Sequence, residues 1–260
     1  MHFIENDIKH SQLYIGVNAG QRISNKIDSA TKSIKIVSPY FGGDQIIQLQ
    51  KKLDQNVDIH IISTDGNKDF RNPKESLILK NIIKQTKLAH KKNKILFNRL
   101  KSVRTIYTIL YFSSLSILLF LQLNKINSFL LQYKYYIGLL VLVIPIITKY
   151  YQSIEVFKYK YETTIPIYFI KNPMSDNEAK QAHNKFIHSK IYIIDDEIAF
   201  VGSINFTYSG FFGNYETCVT IEDKETIFKL SNFFNELYKN DWLKIDIDEL
   251  GKKIYDEPIN

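Results

Sequence analysis

Hydrophobic and polar positions repeat along this chain with two different periods, and the switches between them mark out its elements. Across 20–30, Ile23 and Ile27 recur at helical spacing, which predicts a helix with one apolar face. Residues 33–38 (SIKIVS) alternate with the period of a strand and stop at Pro39. Residues 44–53 predict a second helix with Asp44 as its N-cap, and 57–64 (VDIHIIST) a second strand closed by Asp65-Gly66. Pro73 opens a long helical stretch that continues through a basic segment into an apolar one. Further on, 165–170 reads as a strand, 191–194 and 198–201 as a hairpin turning at Asp196-Glu197, and 217–221 as another strand. An amphipathic helix follows over 224–237, with Ile227, Phe228, Leu230, Phe233, Phe234 and Leu237 toward the core. Strands alternating with helices predict an α/β fold whose mixed or parallel sheet is covered by helices.

One stretch obeys neither period. From 105 to 148 there are 44 residues and two charges, Lys125 and Lys134. Its first part, 106–123, is an uncharged run of 18 residues, and its second, 135–148, has 14. Crossing the hydrocarbon core takes about 20 residues of helix. Flanking lysines and Tyr133, Tyr135, Tyr136, Tyr150 and Tyr151 suit the membrane interface, so 105–148 is expected to be a transmembrane helical hairpin. A helical pair buried in a soluble core and a re-entrant second segment are the alternatives. The polar parts, 1–104 and 149–260, then form one interrupted domain.

Composition refines this picture. The 260 residues are 45% hydrophobic and carry a formal charge of +7, which excludes wholesale disorder. Residues 65–104 hold twelve lysines and arginines against three acids, whereas 222–260 hold ten acids and six lysines. The basic stretch ahead of the apolar run favours the cytoplasmic side of a cell or inner membrane for both polar parts. It suits a nucleic-acid backbone or anionic headgroups, unless it is simply a solvated helix face. The single cysteine, Cys218, gives no internal disulfide, and the first 20 residues lack a secretory apolar core.

The candidate chemistry lies between His188 and Glu216. His188-x-Lys190 is followed by Asp195, then Gly202-Ser203-x-Asn205, then Glu216. Residues two apart on a strand share a face, so an imidazole and an ammonium point one way, and a hydroxyl and an amide do the same on a neighbouring stretch. That set suits a phosphodiester, with donors for the non-bridging oxygens and a histidine to attack or to donate a proton. Glu216 is a candidate to orient the histidine. Asp195 is either part of the site or a structural group at the hairpin turn.

This spacing resembles the signature of the phospholipase D superfamily, H-x-K-x4-D-x6-G-S-x-N, met at His188, Lys190, Asp195, Gly202, Ser203 and Asn205. Glu216 falls where the small nucleases of that superfamily carry an acid, and 27–44 looks like its opening helix and strand. The resemblance implies an α-β-α sandwich with a mixed sheet. It implies Lys190, Ser203 and Asn205 as substrate-binding and catalytic groups beside His188, and no metal or cofactor. Members use two such motifs around one phosphodiester, and this chain has one. The resemblance therefore implies a homodimer sharing a site, with one histidine forming a phosphohistidine and the other protonating the leaving oxygen. A nuclease acting on DNA or RNA is the leading expectation. A phospholipase D or phosphatidyl transferase acting on membrane phospholipid, and a catalytically silent membrane adaptor, are the alternatives. His2, His10, His60, His90 and His183 are read as structural or surface residues, and Cys218 as a small buried apolar group.

Overall fold

In the computed structural model of the chain, residues 11–64, 73–123, 142–170, 187–240 and 244–260 are described. The elements in order are β1 (Ser11–Gly16), α1 (Gln21–Ser29), β2 (Ser33–Val37), α2 (Gly43–Asp54), β3 (Asp58–Thr64), α3 (Pro73–Ile82), β4 (Ile83–Ala89) and α4 (Lys91–Leu123). A helical segment over 142–152 follows. Then come β5 (Phe157–Thr163), β6 (Ile167–Ile170), β7 (Lys190–Ile194), β8 (Ile198–Gly202), a π-helical turn (Ser209–Gly213), β9 (Glu216–Ile221), α5 (Lys224–Tyr238) and α6 (Ile247–Ile254).

Seven strands form one mixed sheet in the order β1-β9-β8-β7-β2-β3-β6. Strands β2, β3 and β6 run parallel, and β7, β8, β9 and β1 continue antiparallel. Central β7 is buried along its whole length, which explains its unbroken apolar run. On one face Ile23 and Ile27 of α1 reach zero exposure. On the other, α5 packs Ile227, Leu230 and Phe234 against Val37, Ile62, Ile191 and Ile193. The expected α/β class and mixed sheet are thus what the chain forms.

Two compact units divide the chain, Met1–Gln85 with Tyr161–Tyr255, and Thr86–Lys160 with Asp256–Asn260. The first holds the large sheet. These limits differ from the expected interruption at 105–148. The single helical stretch expected from Pro73 is broken by β4, which pairs with β5. In β5, Phe157, Tyr159 and Tyr161 alternate with Lys158, Lys160 and Glu162, a period of two that lysines had obscured. Lys87 of β4 lies over the Phe157 ring, 3.6 Å from its centroid.

Within the second unit α4 runs for 33 residues. The apolar run 106–123 is only its C-terminal part, since the first turns carry Lys91, Lys92, Lys94, Arg99, Lys101 and Arg104. Among the described residues no helix is long and apolar enough to cross a membrane, so the transmembrane hairpin is not supported. Its link and the start of its second run, 124–141, lie outside the described residues, as do Asp65-Gly66, His2, His10 and His183.

Smaller corrections follow from cap and turn geometry. Helix α2 is capped by Gly42, and Asp44 sits in its first turn instead. The β7–β8 turn bends at Asp195 and Asp196, both with positive φ (56° and 52°). Phe228 of α5 is 65% exposed, because the buried stripe follows Ile227, Leu230, Ser231 and Phe234.

Candidate active site

The site forms where the register of four strands brings their ends together. Lys190 opens β7 opposite Gly202, the last residue of β8, and Gly202 lies opposite Cys218 of β9. Glu216 opens β9 opposite Gly16, the last residue of β1. His188, just before β7, and Ser203 and Asn205, just after β8, are therefore delivered to one end of the sheet. Gly202 permits this crossing: a Cβ there would lie 2.0 Å from the Thr217 carbonyl oxygen.

His188 is exposed, whereas Lys190 is 5% exposed. The Lys190 ammonium donates to the His188 carbonyl oxygen at 2.8 Å and lies 3.1 and 3.2 Å from the two ring nitrogens. Burial pulls the Lys190 pKa below that of a free lysine, opposed by the attraction of Glu216. Ser203 Oγ donates to the Glu216 carboxylate and accepts from the Thr217 N–H at 3.0 Å. Asn214 Nδ2 gives Glu216 a further bond at 3.3 Å. Glu216, 8% exposed, thus spends its carboxylate on Ser203 and Asn214. The expectation that it orients the histidine gives way to this: it fixes the Ser203 hydroxyl and lends negative potential to Lys190.

Asn205 is half-buried, and its Oδ1 has no hydrogen-bond partner among the described residues. The chain behind it is held tightly. Tyr192 Oη donates to the Ile204 carbonyl oxygen at 2.8 Å, and the Phe206 N–H donates to Ser38 Oγ at 3.0 Å. Ser38 ends the β2 region, so this opening strand buttresses the site, a role its sequence did not announce.

Asp195 is not at this end. It follows β7, about 16 Å along the strand from Lys190 at about 3.3 Å per residue. Its carboxylate accepts from the backbone N–H groups of Thr31, Lys32 and Ser33 at 3.0, 2.8 and 2.9 Å. Burial works to raise its pKa, but the N–H groups of Ser33, Thr31 and Lys32 together hold it below the ordinary carboxylate value. Of the two expected roles the geometry gives the structural one. Next to it Asp196 binds Lys35 Nζ at 2.8 Å and Ser231 Oγ at 2.6 Å, tying the turn to β2 and α5. His60 pairs with Asp58 at 3.1 Å and packs on Tyr238, away from the site residues in sequence and sheet position. Cys218 is buried, and burial pushes its thiol up to about 11. Among the described residues no group of three or more His, Cys, Asp or Glu converges as a metal site requires.

What this cluster can do is bind and attack a phosphodiester. One cation touches an exposed imidazole, and an amide and a hydroxyl leave the neighbouring strand at the same end of the sheet, the hydroxyl already aligned by a carboxylate.

Residues 142–238 match the family described as cardiolipin synthase, PLD-like domain. Cardiolipin synthase 1 of Staphylococcus epidermidis is 38% identical over 77 residues, 28% of this chain and 14% of that protein's length. The chain is also similar to the solved structures of NucT from Helicobacter pylori (TM-score 0.42, 16% identity, 87% of this chain and 94% of that one) and of Nuc, a phospholipase D family member from Salmonella typhimurium (0.43, 13%, 87% and 93%). Phosphatidylserine synthase of Haemophilus influenzae is a further match (0.40, 12%, 88% and 38%). The matched stretch, 142–238, is less than half of the chain and includes the whole His188–Glu216 constellation, and the chain spans only a small part of the curated relative's length.

Proposed function

We propose that the chain is a nuclease that cleaves DNA or RNA at a site shared by two copies. The observation that carries this reading is the meeting of His188, Lys190, Asn205 and the Glu216-aligned Ser203 at one end of the sheet in a chain with a single such set. In the proposed reaction a His188 ring nitrogen attacks phosphorus. A P–N bond forms, the bond to the leaving oxygen breaks, and that oxygen takes a proton from the partner subunit's His188. Water then attacks phosphorus, giving its proton to the same imidazole, and the P–N bond breaks. Lys190 and the amide of Asn205 stabilise the charge on the non-bridging oxygens. No step calls on a metal.

Attachment to the cytoplasmic face of a cell membrane belongs to the same proposal. It is supported by exposed Ile106, Ile109, Phe112, Leu119 and Phe120 on α4, next to the cations of its first turns. The hydroxyls in that stretch bond back to the carbonyl four residues earlier, as Ser113 does to Ile109 and Ser116 to Phe112.

A second reading, transfer or hydrolysis at a phospholipid headgroup, is favoured by the cardiolipin synthase likeness. One comparison separates them: the protein and its His188→Ala variant, with and without EDTA, on single- and double-stranded DNA, RNA and labelled liposomes. Nucleic-acid cleavage that survives EDTA and vanishes in the variant is the expected result. Headgroup release without nuclease activity overturns the proposal.

A further inference from the structure

Two exposed aromatic side chains follow and precede site residues along the chain without a part in the chemistry above. Tyr208 and Tyr215 both lie in the connection from Asn205 to Glu216, and they are 62% and 84% exposed. The connection is not a slack loop. Phe211 at its centre is fully buried, with its ring 5.6 Å from Phe206 and 6.0 Å from Tyr192. A Cβ on Gly210 would lie 2.4 Å from the Asn205 carbonyl oxygen, so the turn is pressed against the backbone of a site residue. The Gly210 N–H donates to Thr207 Oγ1 at 3.0 Å, and the Asn214 N–H to the Ser209 carbonyl oxygen at 2.8 Å. Tyr208 leans on Phe212, ring centroids 5.3 Å apart. The π-helical turn, Ser209–Gly213, thus anchors Phe211 inward, and the two exposed tyrosines flank it, three residues after Asn205 and one before Glu216.

Solvent-facing rings on a connection that joins two site residues, one of them backed by a second ring, suit bases that have left their stack. Stacking on an aromatic ring is tolerant of base identity and needs an open π-face, which paired bases inside a duplex do not offer. We propose that Tyr208, backed by Phe212, and Tyr215 form a stacking rim for unpaired bases flanking the scissile phosphate, so that the preferred substrate is single-stranded nucleic acid. This rests on the nuclease reading.

The test uses the full chain and the variants Tyr208→Ala, Tyr215→Ala, Tyr208→Phe and Tyr215→Phe. KM and kcat are measured on a single-stranded oligonucleotide, on its duplex and on an abasic oligonucleotide of equal length, and the dimer mass is followed in parallel. Each alanine variant is expected to raise KM on the base-bearing single strand about tenfold. The abasic strand should be cut with unchanged KM, the phenylalanine variants should restore the parent value, and the single strand should be preferred over the duplex. Equal losses on base-bearing and abasic strands, unchanged KM, or dissociation of the dimer in the alanine variants overturns the stacking rim while leaving the nuclease intact. Headgroup release from liposomes with no cleavage of any oligonucleotide instead overturns the nuclease reading, and the rim with it.

Discussion

Lys190 and Glu216 act on each other, and their coupling gives the site a readable pH dependence. Burial favours the neutral amine of Lys190, while Glu216 favours the ammonium. If the ammonium binds phosphate, activity declines on the alkaline side as it loses its proton, at a pH below the 10.5 of an ordinary lysine. Glu216→Gln removes the opposing attraction, so the Lys190 pKa falls further. The alkaline limb of kcat/KM is expected to move to lower pH in that variant, and an unmoved limb would show that Lys190 does not govern it. The same change loosens the Ser203 hydroxyl, and a drop in kcat of about tenfold to a hundredfold accompanies the shift. Lys190→Met, with no ammonium, should lower kcat/KM by more than either effect, about a thousandfold.

At the scale of elements, the β7–β8 turn is where a residue read as part of the signature serves the fold. Asp195 holds three backbone N–H groups of the α1–β2 connection. Asp195→Ala is expected to cost about 2 kcal/mol, a loss of roughly 5 °C in Tm, while kcat at low temperature stays near the parent value. Asp195 and Asp196 both have depressed pKa values, so the stability they contribute is present above the ordinary carboxylate value of 3.8 and is lost as pH falls below it. Asp195→Asn should flatten that acid loss in a thermal-melting series. A fall in kcat without a fall in Tm would return Asp195 to the active site. The sheet was legible where an element has an apolar face, as α1, β2, α2, β3, β9 and α5 follow their periods, and where a short apolar run is buried whole or nearly so, as in β6, β7 and β8. The offsets of Lys190, Ser203 and Glu216 place them at strand ends, where the register brings them to one end of the sheet. The partners of Asp195 and Glu216 were not legible, since both depend on chain brought near from over a hundred residues away or across a strand crossing. Strand β1, with Leu13 and Ile15 exposed, lacks a buried face and so left no pattern. β4 and β5 were hidden by lysines, and the apolar part of α4 read as a membrane span, which no helix among the described residues is long and apolar enough to make.

For the whole molecule, the decisive question is how one set of site residues performs two proton-coupled steps. A single His188 that has attacked phosphorus is occupied by the P–N bond and cannot also protonate the leaving oxygen. Within the first unit, His60 among the described residues is engaged with Asp58 and Tyr238. In the proposed shared site, a second copy related by a two-fold axis would supply the missing imidazole without any new element. The shared site predicts a particular dependence on composition. When parent and His188→Ala chains are unfolded, mixed in equal amounts and refolded together, mixed dimers should be inactive, leaving about one quarter of the parent activity. Independent sites would leave about one half. The measurement needs only specific activity across a series of mixing ratios, with dimer exchange verified by mass. A curve rising as the square of the parent fraction supports the shared site, and a straight line places the second proton donor within a single chain.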